Sequence, residues 1–194
     1  FVDHINGKLP ILTARDLARF AGKVISLMPV MGNVCKLMTK NMHRAIESRS
    51  SWESSVNIYF ISGVLEEFKF WQKSLQIKPV RPLFSLSLQS FSIYSDASKV
   101  ACAAYIKNES NIMCHRNWTV EERSKSSKWR ELQAVLFALQ SFVSKLSGFS
   151  VHWFTDSQNC VRVIENGSTC TDLHAIALEI FELCIQNQIS LKIS

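Results

Sequence analysis

The sequence predicts an α/β fold, in which a mixed five-stranded sheet with helices on its faces follows an all-helical segment. Three observations support this fold class. Apolar residues in the first part of the chain recur at helical spacing, Pro79 and Pro82 then disfavour helix, and the remaining residues alternate strand patterns with helix patterns. We therefore predict a helical domain at residues 1–78, a linker at 79–90 and an α/β domain at 91–194.

Three helices account for the pattern of the first domain. Thr13 is followed three residues later by Asp16, which is close to a capping box, and the helix that starts there should end at Pro29. A second helix is predicted over residues 34–46, because Leu, Met, Ala and Ile recur on one side. A third is predicted over residues 64–75 on the same grounds.

The second domain begins with three strands and continues with a long helix. The strand patterns are FSIYSDAS, VACAAYI and NIMCHRNW, and the turns between them are so short that the strands must pair antiparallel. The helix pattern is SKWRELQAVLFALQSFVSKL, which Gly148 should end. The strand SVHWFT, the helices DSQNCVRVIE and DLHAIALEIFELCIQ, and the strand ISLKI complete the order β-β-β-α-β-α-α-β.

Charge is distributed unevenly along the 194 residues. The whole chain has 22 Lys and Arg against 16 Asp and Glu, a formal net charge of +6. Residues 1–90 hold 12 basic and 6 acidic residues, whereas residues 91–194 hold 10 of each, so the entire surplus lies in the first part. A basic first part beside a neutral second part suggests contact with a polyanion, although a solvated helical surface explains the charge equally well.

The cysteine pattern and the lack of long apolar runs indicate an intracellular, reducing location, in cytoplasm or nucleus. The six cysteines form no C-x-x-C pair, so they match neither a zinc site nor a disulfide framework. Most have apolar neighbours, as buried free thiols do. No stretch approaches the roughly 20 apolar residues of a membrane span, and we predict no membrane partner.

Three acidic residues stand where the predicted sheet and long helix could bring them together. Asp96 lies near the end of the first strand and Asp156 ends the fourth. If those strands are adjacent and parallel, their ends share one edge of the sheet. Glu131 lies one turn into the long helix, at the border of its apolar stripe. Three carboxylates at one edge would bind Mg²⁺ or Mn²⁺, and two such ions suit phosphodiester hydrolysis.

Each acid also has a local explanation. Asp156 could cap the helix that follows it, and Asp96 could be a turn residue before a hairpin. Glu131 could be ordinary first-turn charge that the helix dipole favours.

The ordered motifs SDAS, RELQAV and FTDSQN resemble the ribonuclease H domain of retroelement reverse transcriptases. The stretches WTVEERSKSSKWRELQAVLFALQSF and VIENGS are most similar to elements of the tyrosine-recombinase (DIRS-like) type, within a broader LTR-type likeness. RDLARFAGKVISLMP and KLMTKNMHRAI are similar to the helical, connection or thumb-like segment that precedes ribonuclease H in such polyproteins.

This resemblance implies an enzyme that hydrolyses the RNA strand of RNA–DNA hybrids with four acids and two Mg²⁺ ions. Asp96, Glu131 and Asp156 match the first three acids, which would be both catalytic residues and metal ligands. The fourth is expected beyond Ser194, because the acids of the preceding helix do not match the motif. The resemblance also implies a polymerase domain upstream in the same polyprotein. The alternative is a catalytically inactive nucleic-acid-binding or scaffolding remnant.

Other residues allow weaker hypotheses. His115 and His152 have no ligand spacing around them, and we predict structural roles. A sugar-kinase or actin-like fold would need a glycine-rich phosphate loop after the first strand, where Ser98, Lys99 and Val100 stand. One aromatic and four basic residues near the start of the long helix could hold backbone phosphates or form a solvated loop. They are Trp118, Arg123, Lys125, Lys128 and Arg130.

Overall fold

The computed structural model describes residues 11–61, 63–74, 90–107, 109 and 112–194. The chain forms two compact units, and the described residues before residue 75 belong to the N-terminal unit and those from Ser90 onward to the C-terminal unit. The predicted linker lies outside the described residues except for Ser90, which is the first residue of a strand.

The N-terminal unit is mainly helical and contains one pair of short strands. Its elements are β1 (Ile11–Thr13), α1 (Ala14–Ser26), α2 (Met28–Met31), α3 (Val34–Leu37), α4 (Lys40–Glu47), β2 (Ser55–Asn57) and α5 (Val64–Ser74).

The capping box at the start of α1 is confirmed. The Thr13 hydroxyl oxygen accepts a hydrogen bond from the Asp16 amide at 3.1 Å, and the Asp16 carboxylate accepts one from the Thr13 amide at 3.4 Å. Helix α1 ends at Ser26, and Pro29 lies in the first turn of α2, where its missing N–H has no intrahelical partner to lose.

Two predictions for the N-terminal unit are wrong in detail. The segment is not all-helical, because β1 and β2 pair antiparallel with Leu12 opposite Val56, and three-residue strands are too short to show an alternating pattern. The helix predicted over residues 34–46 is divided into α3 and α4. The buried Glu67 carboxylate explains the second start, since it accepts hydrogen bonds from the amides of Asn41 at 2.7 Å and Met42 at 2.9 Å.

The C-terminal unit follows the predicted order of elements. They are β3 (Ser90–Ala97), β4 (Ala101–Ile106), β5 (Met113–Asn117), α6 (Val120–Ser124), α7 (Ser127–Leu146), β6 (Ser150–Phe154), α8 (Gln158–Asn166), α9 (Thr171–Gln186) and β7 (Ser190–Ile193). The short helix α6 is the one addition, and it begins with a capping box between Thr119 and Glu122.

The sheet of this unit has the order β5-β4-β3-β6-β7. Strands β3, β4 and β5 pair antiparallel, whereas β6 pairs parallel with both β3 and β7. The predicted α/β fold class, with a mixed five-stranded sheet whose first three strands are antiparallel, is therefore confirmed, and so is the adjacency of the first and fourth strands.

Helix α7 covers one face of the sheet. It packs against β3 and β4, and α9 packs in turn against α7. The side chains of Ile93, Val151 and Trp153 on that face are completely buried. On the opposite face the rings of Tyr105, Tyr94 and Phe154 stack across three strands, with centroids 5.3 and 4.8 Å apart.

All six cysteines are free, and four of them are buried. None of the helices in the described residues combines the length and the hydropathy that crossing a bilayer requires.

Candidate metal centre

The side chains of Asp96, Glu131 and Asp156 converge at one edge of the C-terminal sheet. One carboxylate oxygen from each lies within 4.8 Å of the others. Asp96 is the penultimate residue of β3, Asp156 follows the end of β6 by two residues, and Glu131 lies in the second turn of α7. Because β3 and β6 are adjacent and parallel, both strands deliver their acid to the same edge.

Neighbouring residues fill the local roles that could otherwise explain the two aspartates. Ser157 caps α8, since its hydroxyl accepts a hydrogen bond from the Cys160 amide at 3.3 Å, so Asp156 is not the cap. Ser98 forms the turn after β3, because its hydroxyl accepts hydrogen bonds from the amides of Val100 and Ala101 at 3.1 and 3.0 Å. Neither aspartate is therefore needed to start a helix or to close a turn.

Glu131 does not interact with the helix start either. Ser126 caps α7 by accepting a hydrogen bond from the Trp129 amide at 3.2 Å, and the first turn of the helix contains no acid. Glu131 lies beyond that turn, where the influence of the helix dipole has declined. The local explanation for this residue fails as well.

The charge of the cluster is not neutralised by the protein. Within the described residues, none of the three acids forms an ion pair, and the buried Glu131 Oε2 atom accepts no hydrogen bond. Burial raises the pKa of Glu131 to about 7, with further contributions from the charges of Asp96 and Asp156, while Arg130 opposes the shift. A bound cation would satisfy the buried oxygen and relieve the repulsion.

The donor set fits a hard divalent cation. Three carboxylate oxygens are ligands that Mg²⁺ and Mn²⁺ prefer, and open positions would remain for water or phosphate oxygens. Cys160 does not belong to the cluster, and burial and the neighbouring Glu131 raise the pKa of its thiol to about 12. That thiol stays protonated at neutral pH, so the residues present do not form a soft-metal site.

An open groove adjoins the cluster on the face of the sheet opposite α7. It has a volume of about 550 Å³, includes Asp96 and Asp156, and is otherwise lined mainly by the rings of Tyr94, Tyr105 and Phe154. The two aspartates are exposed, whereas Glu131 is half-buried behind them. Both aspartates are therefore accessible from solvent.

The basic and aromatic residues before the cluster are partly structural. Trp118 is buried, its indole N–H donates to the Ser98 carbonyl at 3.0 Å, and Arg123 donates to the Trp118 carbonyl at 3.2 Å. Arg130 donates to the carbonyls of Arg123 and Lys125 at 3.2 and 2.6 Å. These hydrogen bonds connect the corner between α6 and α7, so Trp118, Arg123 and Arg130 have structural roles there.

The other residues considered from the sequence lie outside the cluster. His115 and His152 are exposed on the sheet and do not belong to it. Asp172 pairs with Lys125 at 3.1 Å, and Glu179 is exposed on α9. Sequence reasoning missed Ser95, whose buried hydroxyl accepts a hydrogen bond from the Trp153 indole at 2.8 Å. The sequence contains one signal for this role: a serine directly before Asp96, at a strand position whose side chain faces the core.

No protein-family model and no curated protein matches this chain. Among solved structures, it is similar to ribonuclease H1 from the halophilic archaeon Halobacterium salinarum NRC-1, with a TM-score of 0.42 and 16% identity over 55% of this chain and 86% of that chain. It is also similar to the foamy viral protease-reverse transcriptase. The structure of that protein with double-stranded DNA gives a TM-score of 0.41 and 11% identity, and the structure with an RNA/DNA hybrid gives 0.40 and 12%. Both matches cover 94% of this chain but only 34% and 25% of the viral chains, so the chain spans a minor part of their length.

Proposed function

We propose that the C-terminal unit is a divalent-metal-dependent endonuclease of the ribonuclease H type, which hydrolyses the RNA strand of RNA–DNA hybrids. The observation that carries this proposal is the cluster of three carboxylates within 4.8 Å, borne by two adjacent parallel strands and one helix, which forms no ion pair with any described residue. Three rigid elements that aim acids at one point suit metal-assisted phosphodiester hydrolysis better than any structural role.

In this proposal Asp96, Glu131 and Asp156 are both the catalytic residues and the ligands of two Mg²⁺ or Mn²⁺ ions. When bound, such ions activate a water and stabilise the leaving oxygen of the phosphodiester. The exposed aspartates face the substrate, while the half-buried Glu131 holds its proton up to a pH of about 7 and releases it to become a ligand. The backbone of β3, β6 and α7 keeps the three side chains in place.

We also propose the surroundings that the sequence resemblance implies. The chain is part of a retrotransposon polyprotein, of the DIRS-like or LTR type, with the polymerase domain of the reverse transcriptase upstream. Residues 1–78 form the connection or thumb-like segment, 79–90 the linker and 91–194 the ribonuclease H-like domain. The N-terminal unit contributes to hybrid binding, because α1 exposes Arg15, Arg19 and Lys23 along one side at a spacing of four residues, although Arg15 also pairs with Glu53 at 2.7 Å.

The test of the activity is cleavage of a hybrid labelled on the RNA strand, with the same duplex in all-DNA form as a substrate control. We expect Mg²⁺-dependent cutting of the RNA strand alone. Asp96→Asn should reduce the rate by about a thousand-fold, since losing a metal ligand removes several kcal/mol of transition-state stabilisation. Glu179→Gln is the matched control, because this acid is exposed on α9 outside the cluster, and its rate should equal that of the parent.

The alternative function is a nucleic-acid-binding or scaffolding protein without hydrolytic activity. The resemblance implies a fourth acid beyond Ser194 in addition to the three of the cluster, and this alternative applies to a protein that lacks that fourth acid. Hybrid binding with no cutting in Mg²⁺ or Mn²⁺ would support this alternative. Equal cutting by the parent and by Asp96→Asn would instead show that the assigned roles are wrong.

A further inference from the structure

A buried hydrogen bond connects the two strands that carry the aspartates. The indole N–H of Trp153 on β6 donates to the hydroxyl of Ser95 on β3 at 2.8 Å, across 58 positions of sequence. Trp153 is completely buried, and Ser95 is 9% exposed. Both side chains point to the face that α7 covers, where a hydroxyl without a partner would destabilise the fold.

This bond lies where the pairing between the two strands ends. The last paired residues of β3 and β6 are Tyr94 and Phe154. Beyond them, Asp96 pairs with Ala103 of β4, while the amide of Thr155 donates to the carbonyl of Ser194 at 3.1 Å. The register between β3 and β6 thus ends two residues before each acid, whereas β3 stays paired with β4 as far as Ala97.

The acids beyond that point repel one another. Asp96 and Asp156 lie within 4.8 Å of each other and of Glu131, and like charges at this distance favour separation of the strand ends. Ser95 directly precedes Asp96, and Trp153 lies three residues before Asp156. The Ser95–Trp153 bond is therefore placed to oppose the repulsion.

We propose that Ser95 and Trp153 are a positioning pair that holds Asp96 and Asp156 at the separation required for divalent cations. This inference rests on the proposed function, since it concerns the same cluster. Neither residue is one of the three acids of the cluster; the pair acts through the backbone of β3 and β6. Losing the bond lets the two strand ends separate, and the carboxylates then bind a cation less tightly.

The experiment measures binding of Mn²⁺ alone, without nucleic acid, by the loss of the free-ion signal in electron paramagnetic resonance. Ser95→Ala and Trp153→Phe each remove one side of the hydrogen bond and keep most of the packing volume. We expect each to weaken Mn²⁺ binding by about ten-fold, the lower end of the range for residues that support metal ligands. The double variant should bind as weakly as either single one, because both lose the same bond. Ser95→Thr retains the hydroxyl and should retain the affinity.

The chain offers a matched control in its other unit. Trp71 is also completely buried, and its indole N–H donates to the carbonyl of Met38 at 2.6 Å. Trp71→Phe therefore loses a bond of the same kind, and we expect a lower free energy of unfolding with unchanged Mn²⁺ affinity. An equal loss of Mn²⁺ affinity in Trp71→Phe would show that general destabilisation is the cause and would overturn the inference.

Two further outcomes separate this inference from the proposed function. If Asp156→Asn abolishes Mn²⁺ binding while Ser95→Ala and Trp153→Phe bind as tightly as the parent, the metal site stands and the positioning pair is wrong. If Asp156→Asn binds Mn²⁺ like the parent, the ion does not bind at the cluster, and both proposals fail. Near-ultraviolet circular dichroism of each variant shows whether the core around Trp153 is retained, and Ser95→Ala decides the outcome if Trp153→Phe does not fold.

Discussion

Asp156→Asn should change the free energy of unfolding in opposite directions with and without a divalent cation. The three carboxylates lie within 4.8 Å of one another. At that distance two charges repel by about 1 kcal/mol in a water-like dielectric and by about 3.5 kcal/mol at an effective dielectric constant of about 20. Because Asp156 is exposed, the lower figure applies to each of its two pairs. At pH 8, where Glu131 is ionised, we expect the metal-free variant to be more stable than the parent by about 1–2 kcal/mol.

Mg²⁺ should reverse that order. At about a hundred times its dissociation constant, a bound ion stabilises the folded parent by about 2.7 kcal/mol, and the variant loses most of this gain. The assay is urea unfolding at pH 8, followed by tryptophan fluorescence, in chelator and in excess Mg²⁺. Asp172→Asn is the control, since it removes an ion pair with Lys125 outside the cluster; it should be slightly destabilising in both buffers. A variant that is less stable than the parent without metal would refute the account of mutual repulsion.

Four further predictions concern pH and the stability of the N-terminal unit. The pKa of Glu131 is raised to about 7, so Mn²⁺ affinity should fall about ten-fold per pH unit below 7 and level off above it, as calorimetry would show. Without metal, the free energy of unfolding changes with pH in the opposite direction. The raised pKa of Glu131 stabilises the fold below a pH of about 4.5, and this contribution is lost as the pH rises to about 7. Glu131→Gln should therefore flatten that part of the urea-unfolding profile. Glu67→Ala leaves the part-buried amide of Asn41 and the buried amide of Met42 without an acceptor, and should lower the free energy of unfolding by about 2–4 kcal/mol. Glu66→Ala, at an exposed position, should change it by under about 0.5 kcal/mol. Gly63→Ala should destabilise by more than about 1 kcal/mol, because φ is +85° and the new Cβ would clash with the side-chain amide of Asn41. Gly22→Ala, which meets nothing within 4 Å in α1, should stabilise by up to about 1 kcal/mol in thermal unfolding.

The parts of the fold that were predicted correctly are those that short-range patterns specify. Helix α7 occupies the predicted 20 residues, because its apolar stripe is long and Ser126 and Gly148 mark its two ends. The antiparallel start of the sheet followed from turns too short for any other connection. The carboxylate cluster followed from chain order, since a crossover from the first to the fourth strand brings two strand ends to one edge.

The features that were missed depend on residues far apart in the sequence. Helix α4 starts where it does because Glu67, 25 residues beyond Met42, accepts the hydrogen bond of the Met42 amide. No local signal at residues 34–46 distinguishes one helix from two. The hydrogen bond between Ser95 and Trp153 has the same character, since neither residue shows a partner until the register of β3 against β6 is known. Tertiary contacts of this kind override local propensity.

If the cluster binds metal ions, the buried strand β6 serves as a rigid support for the ligand Asp156 at the sheet edge. Carboxylates that repel one another can be kept together only by elements whose stability comes from elsewhere. In this chain that stability comes from the α7-facing side of the sheet, where Val151, Trp153 and Ile93 are completely buried just below the acids. A flexible loop carrying the same three acids would relieve the repulsion by moving apart, and its affinity for a divalent cation would fall accordingly. The apolar core and the charged edge are thus two requirements of one site, and weakening the core beneath Asp96 and Asp156 should affect metal binding before it unfolds the protein.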